Sequence, residues 1–217
     1  MQSRRLLLSM LASAPLLSCL GACGSAGASG QRRQSEGAPS RSVPGCEGCE
    51  AVWERRPASL LPVITLASPD ERGEPLRVEG TIFHSDGRTP ASNVVLYVHH
   101  TNAHGRYADG TDESEWSRRH GRLRGWLRTG NDGTYKIHTI KPAPYPGRTN
   151  PAHIHIFVLE PDKRDPYWID DVVFDGEFGV DARYRSARAN QGGSGIVRLE
   201  RMPDGTLRAK RDIVLLA

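Results

Sequence analysis

Leu76-Arg77-Val78-Glu79-Gly80-Thr81-Ile82 alternates apolar and polar residues with a period of two, the signature of a strand that buries one face and wets the other. Working outward, Ser85-Asp86-Gly87-Arg88 supplies a turn, and Val94, Leu96 and Val98 resume the alternation up to His99-His100. Residues 125–129 and 134–140 flank Asn131-Asp132-Gly133, which reads as a hairpin turn. Further runs at 154–159, 168–174, 196–201 and 206–216 repeat the theme, the last pair turned by Met202-Pro203-Asp204-Gly205. Helical character is confined to short pieces near 112–119 and 181–188. The 23 Gly and 15 Pro among 217 residues supply turns for many short strands. The pattern predicts an all-β fold, an antiparallel β-sandwich with long loops and little helix.

The chain ahead of this region is of another kind. Ser3-Arg4-Arg5 precedes an apolar run from Leu6 to Leu20, the layout of an export signal over residues 1–22. Leu20-Gly21-Ala22-Cys23 resembles the lipobox of bacterial lipoproteins, which implies cleavage before Cys23 and membrane attachment through its lipidated thiol. Arg4-Arg5 also resembles a twin-arginine signal, a route for proteins exported already folded. Residues 23–45 are rich in Gly, Ser, Ala and Pro and read as a tether, leaving 46–217 as the domain. The expected location is thus outside the cytoplasm, on a membrane facing the periplasm or the cell exterior. Cys46 and Cys49 open the domain; two thiols are too few for a four-ligand zinc site, and a local disulfide is expected in an oxidising compartment.

The formal net charge of +4 and the pI near 9.0 suggest nucleic acid at first sight. Arg4 and Arg5 belong to the signal, and Arg32, Arg33 and Arg41 against Glu36 belong to the tether. The domain that remains carries no net charge, so the composition gives no support to a nucleic-acid partner.

Chemistry concentrates in Pro151-Ala152-His153-Ile154-His155-Ile156-Phe157-Val158. On a strand, His153 and His155 share one face while Ile154 and Ile156 share the other, so one metal ion can take both imidazoles. Upstream, Lys141-Pro142-Ala143-Pro144-Tyr145-Pro146-Gly147-Arg148 is a stiff loop that holds Tyr145 between two prolines. Earlier still stands Asn102-Ala103-His104-Gly105-Arg106-Tyr107. In this order the three segments resemble the intradiol ring-cleavage dioxygenases, the family of the catechol and protocatechuate 3,4-dioxygenases. The resemblance extends from Pro75 to Val173, through Asp132-Gly133-Thr134-Tyr135, and more weakly to Ile213-Val214-Leu215.

The resemblance implies a non-haem Fe(III) held by Tyr107, Tyr145, His153 and His155. It implies cleavage of a catechol-type ring between its hydroxyl-bearing carbons with O2, giving a cis,cis-muconate-type diacid, with Tyr145 leaving the metal to take a substrate proton. A hard ferric ion suits phenolate oxygens, and imidazoles complete the site without adding charge. The sequence departs from the family at Asn150, where an Arg that supports charge on the substrate ring is usual. Arg148, two residues earlier, is the candidate substitute. His99-His100 stands where Trp-Gln is usual, and Gly147 where Trp is common, which implies a more open pocket. His99, His100 and His104 cluster near Tyr107 and read either as supports of the metal site or an alternative metal site, or, as preferred, as strand-end and loop residues near the pocket mouth. Arg118, Arg119, Arg122, Arg124 and Arg128 form a basic run that reads as a solvated face or as an attractor of acidic aromatic substrates. A non-catalytic lipoprotein that captures metal or aromatic ligands is the competing reading, and a homo-oligomer is compatible with either. A zinc hydrolase is disfavoured because no Glu base accompanies His153 and His155 in the required pattern.

Overall fold

The computed structural model describes residues 43–108 and 114–217; the export signal, Cys23 and the tether up to residue 42 lie outside the described residues. Twelve strands are present among them, in chain order β1 (Val63–Thr65), β2 (Pro75–Phe83), β3 (Val95–His100), β4 (Arg124–Arg128), β5 (Thr134–Ile140), β6 (His153–Leu159), β7 (Tyr167–Trp168), β8 (Val172–Phe174), β9 (Ile196–Val197), β10 (Leu199–Arg201), β11 (Leu207–Lys210) and β12 (Ile213–Val214). The helices α1 (Glu115–His120) and α2 (Ala182–Ser186) are short, as is a 3-10 turn at Cys49–Val52. None is long and apolar enough to cross a membrane.

The strands form two sheets. One has the order β1-β5-β2-β11-β10 with β12 also on β2; the other has β4-β3-β6-β8-β9 with β7 also on β6. Leu76, Val78, Ile82, Ile137 and Ala209 of the first sheet pack with Leu96, Val98, Ile154, Ile156 and Val172 of the second. These are the residues that the period-two pattern sends to one face, so the β-sandwich follows from the alternation. The pairing is less uniform than the antiparallel expectation, because β1–β5, β2–β11, β2–β12 and β8–β9 are parallel.

The turn at 131–133 is not a hairpin. It joins β4 of the second sheet to β5 of the first. Gly133 sits at φ +70 with its carbonyl accepting from the Ile82 N–H at 2.9 Å, and a Cβ there would lie 2.7 Å from the Ile82 oxygen. The turn therefore docks on the end of β2 and hands β5 to it, a corner between layers that turn residues alone do not distinguish from a hairpin.

The outer face of β3 is covered as well. Val95 and Tyr97 lie under a second cluster made by Cys46, Cys49, Ala51, Val52, Trp116 and Phe157. The expected disulfide joins Cys46 to Cys49. Trp126 Nε1 donates to the Ala51 carbonyl at 3.0 Å, and the Glu54 carboxylate accepts from the Trp116 N–H at 3.1 Å, at the start of α1. At the opposite edge, Arg211 is 2% exposed and donates to the carbonyls of Gly193 and Asp212, as well as Ser194. Tyr135 donates its hydroxyl to the Arg211 carbonyl at 2.7 Å.

Candidate metal centre

Strand β6 occupies the middle of the second sheet. Ile154 and Ile156 are 0% and 1% exposed in the inter-sheet core, and burying each contributes about 1.5–3 kcal/mol. That burial fixes the register, since a slip of one residue would exchange isoleucines for imidazoles in the core. His153 and His155 consequently face away from it. Val172 and Val173 of β8 pair with Ile154 and His153 on one side, and β3 sets His99 directly across from His155 on the other.

Tyr107 arrives from the loop after β3. The Asn102 side-chain oxygen accepts from the N–H groups of His104 at 2.9 Å and Arg106 at 3.1 Å, and the Asn102 carbonyl accepts from Gly105 at 3.0 Å. Gly105 has φ +72, and a Cβ there would stand 1.9 Å from the Pro144 oxygen. Only glycine permits that approach, and it presses the Tyr107 loop against the Tyr145 loop. The two phenol oxygens end 2.8 Å apart.

The remaining distances close the cluster. The Tyr145 hydroxyl lies 3.2 Å from His153 Nε2, which lies 3.1 Å from His155 Nε2. His153 Nδ1 faces the Pro151 carbonyl at 2.7 Å, and His155 Nδ1 faces Asp171 Oδ1 at 3.0 Å. A carbonyl and a carboxylate only accept, so in the neutral rings both Nδ1 atoms carry the proton and both Nε2 atoms present lone pairs. Tyr107 can donate to Tyr145 and Tyr145 to His153, which leaves the His155 Nε2 lone pair facing another lone pair. A cation between the four atoms satisfies them all. Tyr107, Tyr145, His153 and His155 therefore form a donor set that could hold a metal ion, and a hard ferric ion fits two phenolic oxygens and two imidazoles.

Electrostatics agree with such a set. Burial, with His155 next to it, pulls the His153 pKa down, so the ring is neutral at neutral pH and ready to bind a cation. Burial also pushes both phenols up, Tyr107 further through its hydrogen bond to Tyr145. The phenols thus keep their protons until a cation displaces them, and binding releases protons.

Asp171 is the participant that sequence reasoning missed. It lies 16 positions past His155, between β7 and β8, where the run at 168–174 reads as one strand. Its carboxylate, His153 and His155 form the group of metal-ligand-type side chains found together among the described residues. The only signal was the Asp170-Asp171 pair, and nothing local ties it to His155.

The other histidines separate. His99 is not at a pocket mouth: it is buried, and its ring stacks on His120 at 3.7 Å and on His155 at 4.5 Å, with Tyr107 at 5.7 Å. The cause is β3, whose register across from β6 carries His99 under the second cluster. Its Nδ1 has no hydrogen-bond partner among the described residues. His100 turns to the inter-sheet core, and His104 remains exposed in its loop. Arg148 has φ +48 and rests its guanidinium 4.1 Å over the exposed Phe178 ring; Asn150 is exposed. In the basic run, Arg119, Arg122 and Arg124 pair with Glu47, Glu71 and Glu54 respectively. Arg128 lines a cleft of about 430 Å³ with Arg56 and Lys163, beside Val95 and Leu159 at the far ends of β3 and β6 from the histidines.

Comparison with known proteins completes the description. A family profile described as Dioxygenase matches residues 59–183, more than half of the chain. Catechol 1,2-dioxygenase 1 of Acinetobacter lwoffii is 33% identical over 116 residues, 45% of this chain and 35% of that protein. Catechol 1,2-dioxygenase of Acinetobacter baylyi is 32% identical over 133 residues, 48% of this chain and 41% of that protein. The matches span well under half the length of these relatives. Among solved structures, the dioxygenase domain of a dioxygenase carbohydrate-binding protein fusion from Streptomyces sp. SirexAA-E is similar in fold, with a TM-score of 0.52 and 23% identity over 73% of this chain and 90% of that one.

Proposed function

Because the chain belongs to the intradiol ring-cleavage dioxygenase family, we propose that it holds a non-haem Fe(III) on Tyr107, Tyr145, His153 and His155 and cleaves a catechol-type ring with O2. The cut falls between the hydroxyl-bearing carbons, and the product is a cis,cis-muconate-type diacid. Both oxygen atoms enter the product, so the reaction balances without an added reductant. The observation that carries the reading is the succession of two phenol oxygens and two Nε2 atoms, Tyr107 to Tyr145 to His153 to His155, with each neighbouring pair 2.8–3.2 Å apart.

When bound, the ferric ion supplies a Lewis-acidic centre that takes the diol as its dianion and makes its ring reactive toward dioxygen. The chain's residues do the rest. The Pro151 carbonyl and Asp171 hold the two imidazoles in the tautomer that points Nε2 inward. Tyr145 is the half-buried phenol, on a loop stiffened by Pro142, Pro144 and Pro146, and its oxygen takes a proton from the incoming diol. Tyr107 is the more buried phenol and stays in place, braced by the ring of His99. Arg148 leaves Phe178 to support charge on the substrate ring, giving up a stack worth about 0.5–1 kcal/mol. Residues 1–22 and Cys23 deliver the protein to a membrane as an exported lipoprotein.

Asn150, in place of the usual cation, favours a second reading, in which the protein captures aromatic diols without cleaving them. The two separate in one experiment: the full chain is loaded with iron, and its visible tyrosinate-to-iron band and oxygen uptake are followed across a panel of catechols. Band perturbation with oxygen uptake supports the enzyme, and perturbation without uptake supports the binder. Protein that stays colourless after ferric loading defeats both.

A further inference from the structure

We propose that Asp171 makes this site selective for aromatic diols whose ring carries no negative charge; the inference rests on the diol-binding reading above. The Asp171 carboxylate does more than orient His155. Its ligand-type oxygen lies within 4.8 Å of a ring nitrogen of each of His153 and His155, on the Nδ1 side of the His155 ring, so its charge stands one imidazole away from a diol on these donors. Oδ1 accepts from His155, whereas Oδ2 makes no hydrogen bond among the described residues, and the side chain is 30% exposed. The charge is therefore neither paired with a cation nor sealed from the pocket.

The nearest cation on the Asp171 side is Arg188, and it is stacked on the Tyr184 ring at 4.3 Å. Among the described residues, none of the side-chain hydrogen bonds or ring contacts of Tyr107, Tyr145, His153 and His155 is to an Arg or Lys side chain. Arg148 rests on Phe178, Lys141 is paired with Glu177, and position 150 is a neutral Asn. The basic run, expected as an attractor of acidic aromatics, spends Arg119, Arg122 and Arg124 on glutamates. A ring carboxylate entering beside Asp171 meets like charge in a partly desolvated site, which weakens its binding by about tenfold.

The test is an anaerobic titration of the iron-loaded full chain with catechol and with 3,4-dihydroxybenzoate, each followed by the visible band. Catechol is expected to bind about tenfold more tightly, and added salt to narrow the ratio. In Asp171→Asn the amide oxygen still accepts from His155 while the charge is gone; the ratio should fall within about threefold, through tighter binding of the carboxylated diol, and salt should no longer move it. Asp171→Glu, which keeps the charge, should keep the wild-type ratio. Equal affinities in the wild type, or a ratio that Asp171→Asn leaves unchanged, overturn the proposal. If the Asn variant fails to hold iron, the wild-type ratio and its salt dependence decide. Oxygen uptake with both diols at a flat ratio overturns this selectivity alone, whereas a band moved by neither diol overturns the diol-binding reading with it.

Discussion

The neighbouring strands β3 and β6 each carry two histidines, and the fate of the second ring nitrogen separates them. His100 is finished: Nδ1 meets the Thr101 carbonyl and Nε2 meets the Thr139 hydroxyl, both at 2.7 Å, so one ring ties β3 to β5 across the core. His153 and His155 begin the same way, each with Nδ1 on an oxygen acceptor. Their Nε2 atoms, however, are turned on each other at 3.1 Å. A satisfied buried imidazole stabilises a fold, whereas two Nε2 atoms that face each other with only one phenol hydroxyl to serve them could take a cation. The residue type is the same in all three; what differs is the acceptor or donor that the fold brings to the far side of the ring.

The comparison breaks most severely at the donors. Tyr107→Phe or His155→Ala should abolish the visible band or the bound iron, as metal analysis and absorption would register; full retention of both would remove the ligand assignment. Next comes His100, whose role predicts a loss of stability without a loss of iron binding. His100→Ala leaves the Thr139 hydroxyl and the Thr101 carbonyl without their partner and should cost about 2–3 kcal/mol in denaturant melts, with iron stoichiometry intact.

The pH dependence has the same origin. Burial holds His100 at about 4 against 6.5 when unfolded, and burial likewise holds His120 at about 3. Between these values the unfolded chain binds protons that the native chain refuses, so stability is full above pH 6.5 and falls as the pH drops through the window toward 4 and below. For His100 alone the loss is on the order of 3 kcal/mol. Melts of the metal-free protein should show the slope, and His100→Gln should flatten it. Smaller again, Asp171→Ala should weaken iron 10- to 100-fold in chelator competition, about the usual effect of removing the acceptor behind a ligating His. Smallest is Arg148→Ala, expected to change stability by less than about 0.5 kcal/mol. Its signature would be a lower kcat with KM unchanged.

Much of this was legible in the sequence because it is local. The alternation of residues 76–82 gives β2, and His-x-His on a strand gives two imidazoles on one face whatever surrounds them. What was not legible depends on chain crossing chain. The turn at 131–133 has hairpin chemistry, yet its docking on Ile82 sends β5 to the other sheet. His99 looks like a strand end until 46–52 and α1 cover the outer face of β3. Asp171 reaches His155 only because β8 folds back beside β6. Each miss is a long-range packing fact superimposed on a correct local pattern.

Arg211 gives this dependence a direction along the chain. Its guanidinium grips the 193–194 loop, and the neighbouring backbone in turn holds the acidic pair: Gly195 accepts from Val173 at 2.9 Å, Gln191 accepts from Asp170 at 2.9 Å, and Asn190 donates to the Asp170 carboxylate at 3.1 Å. A Cβ on Gly195 would fall 2.0 Å from the Asp171 carbonyl oxygen, so the two backbones are in contact. A nascent chain that has emerged only through β8 thus possesses every donor of the centre and the acid behind it, but lacks the clasp that sets that acid in place. The placing of Asp171 is therefore completed late along the chain, when the link between β11 and β12 reaches the loop at 193–194.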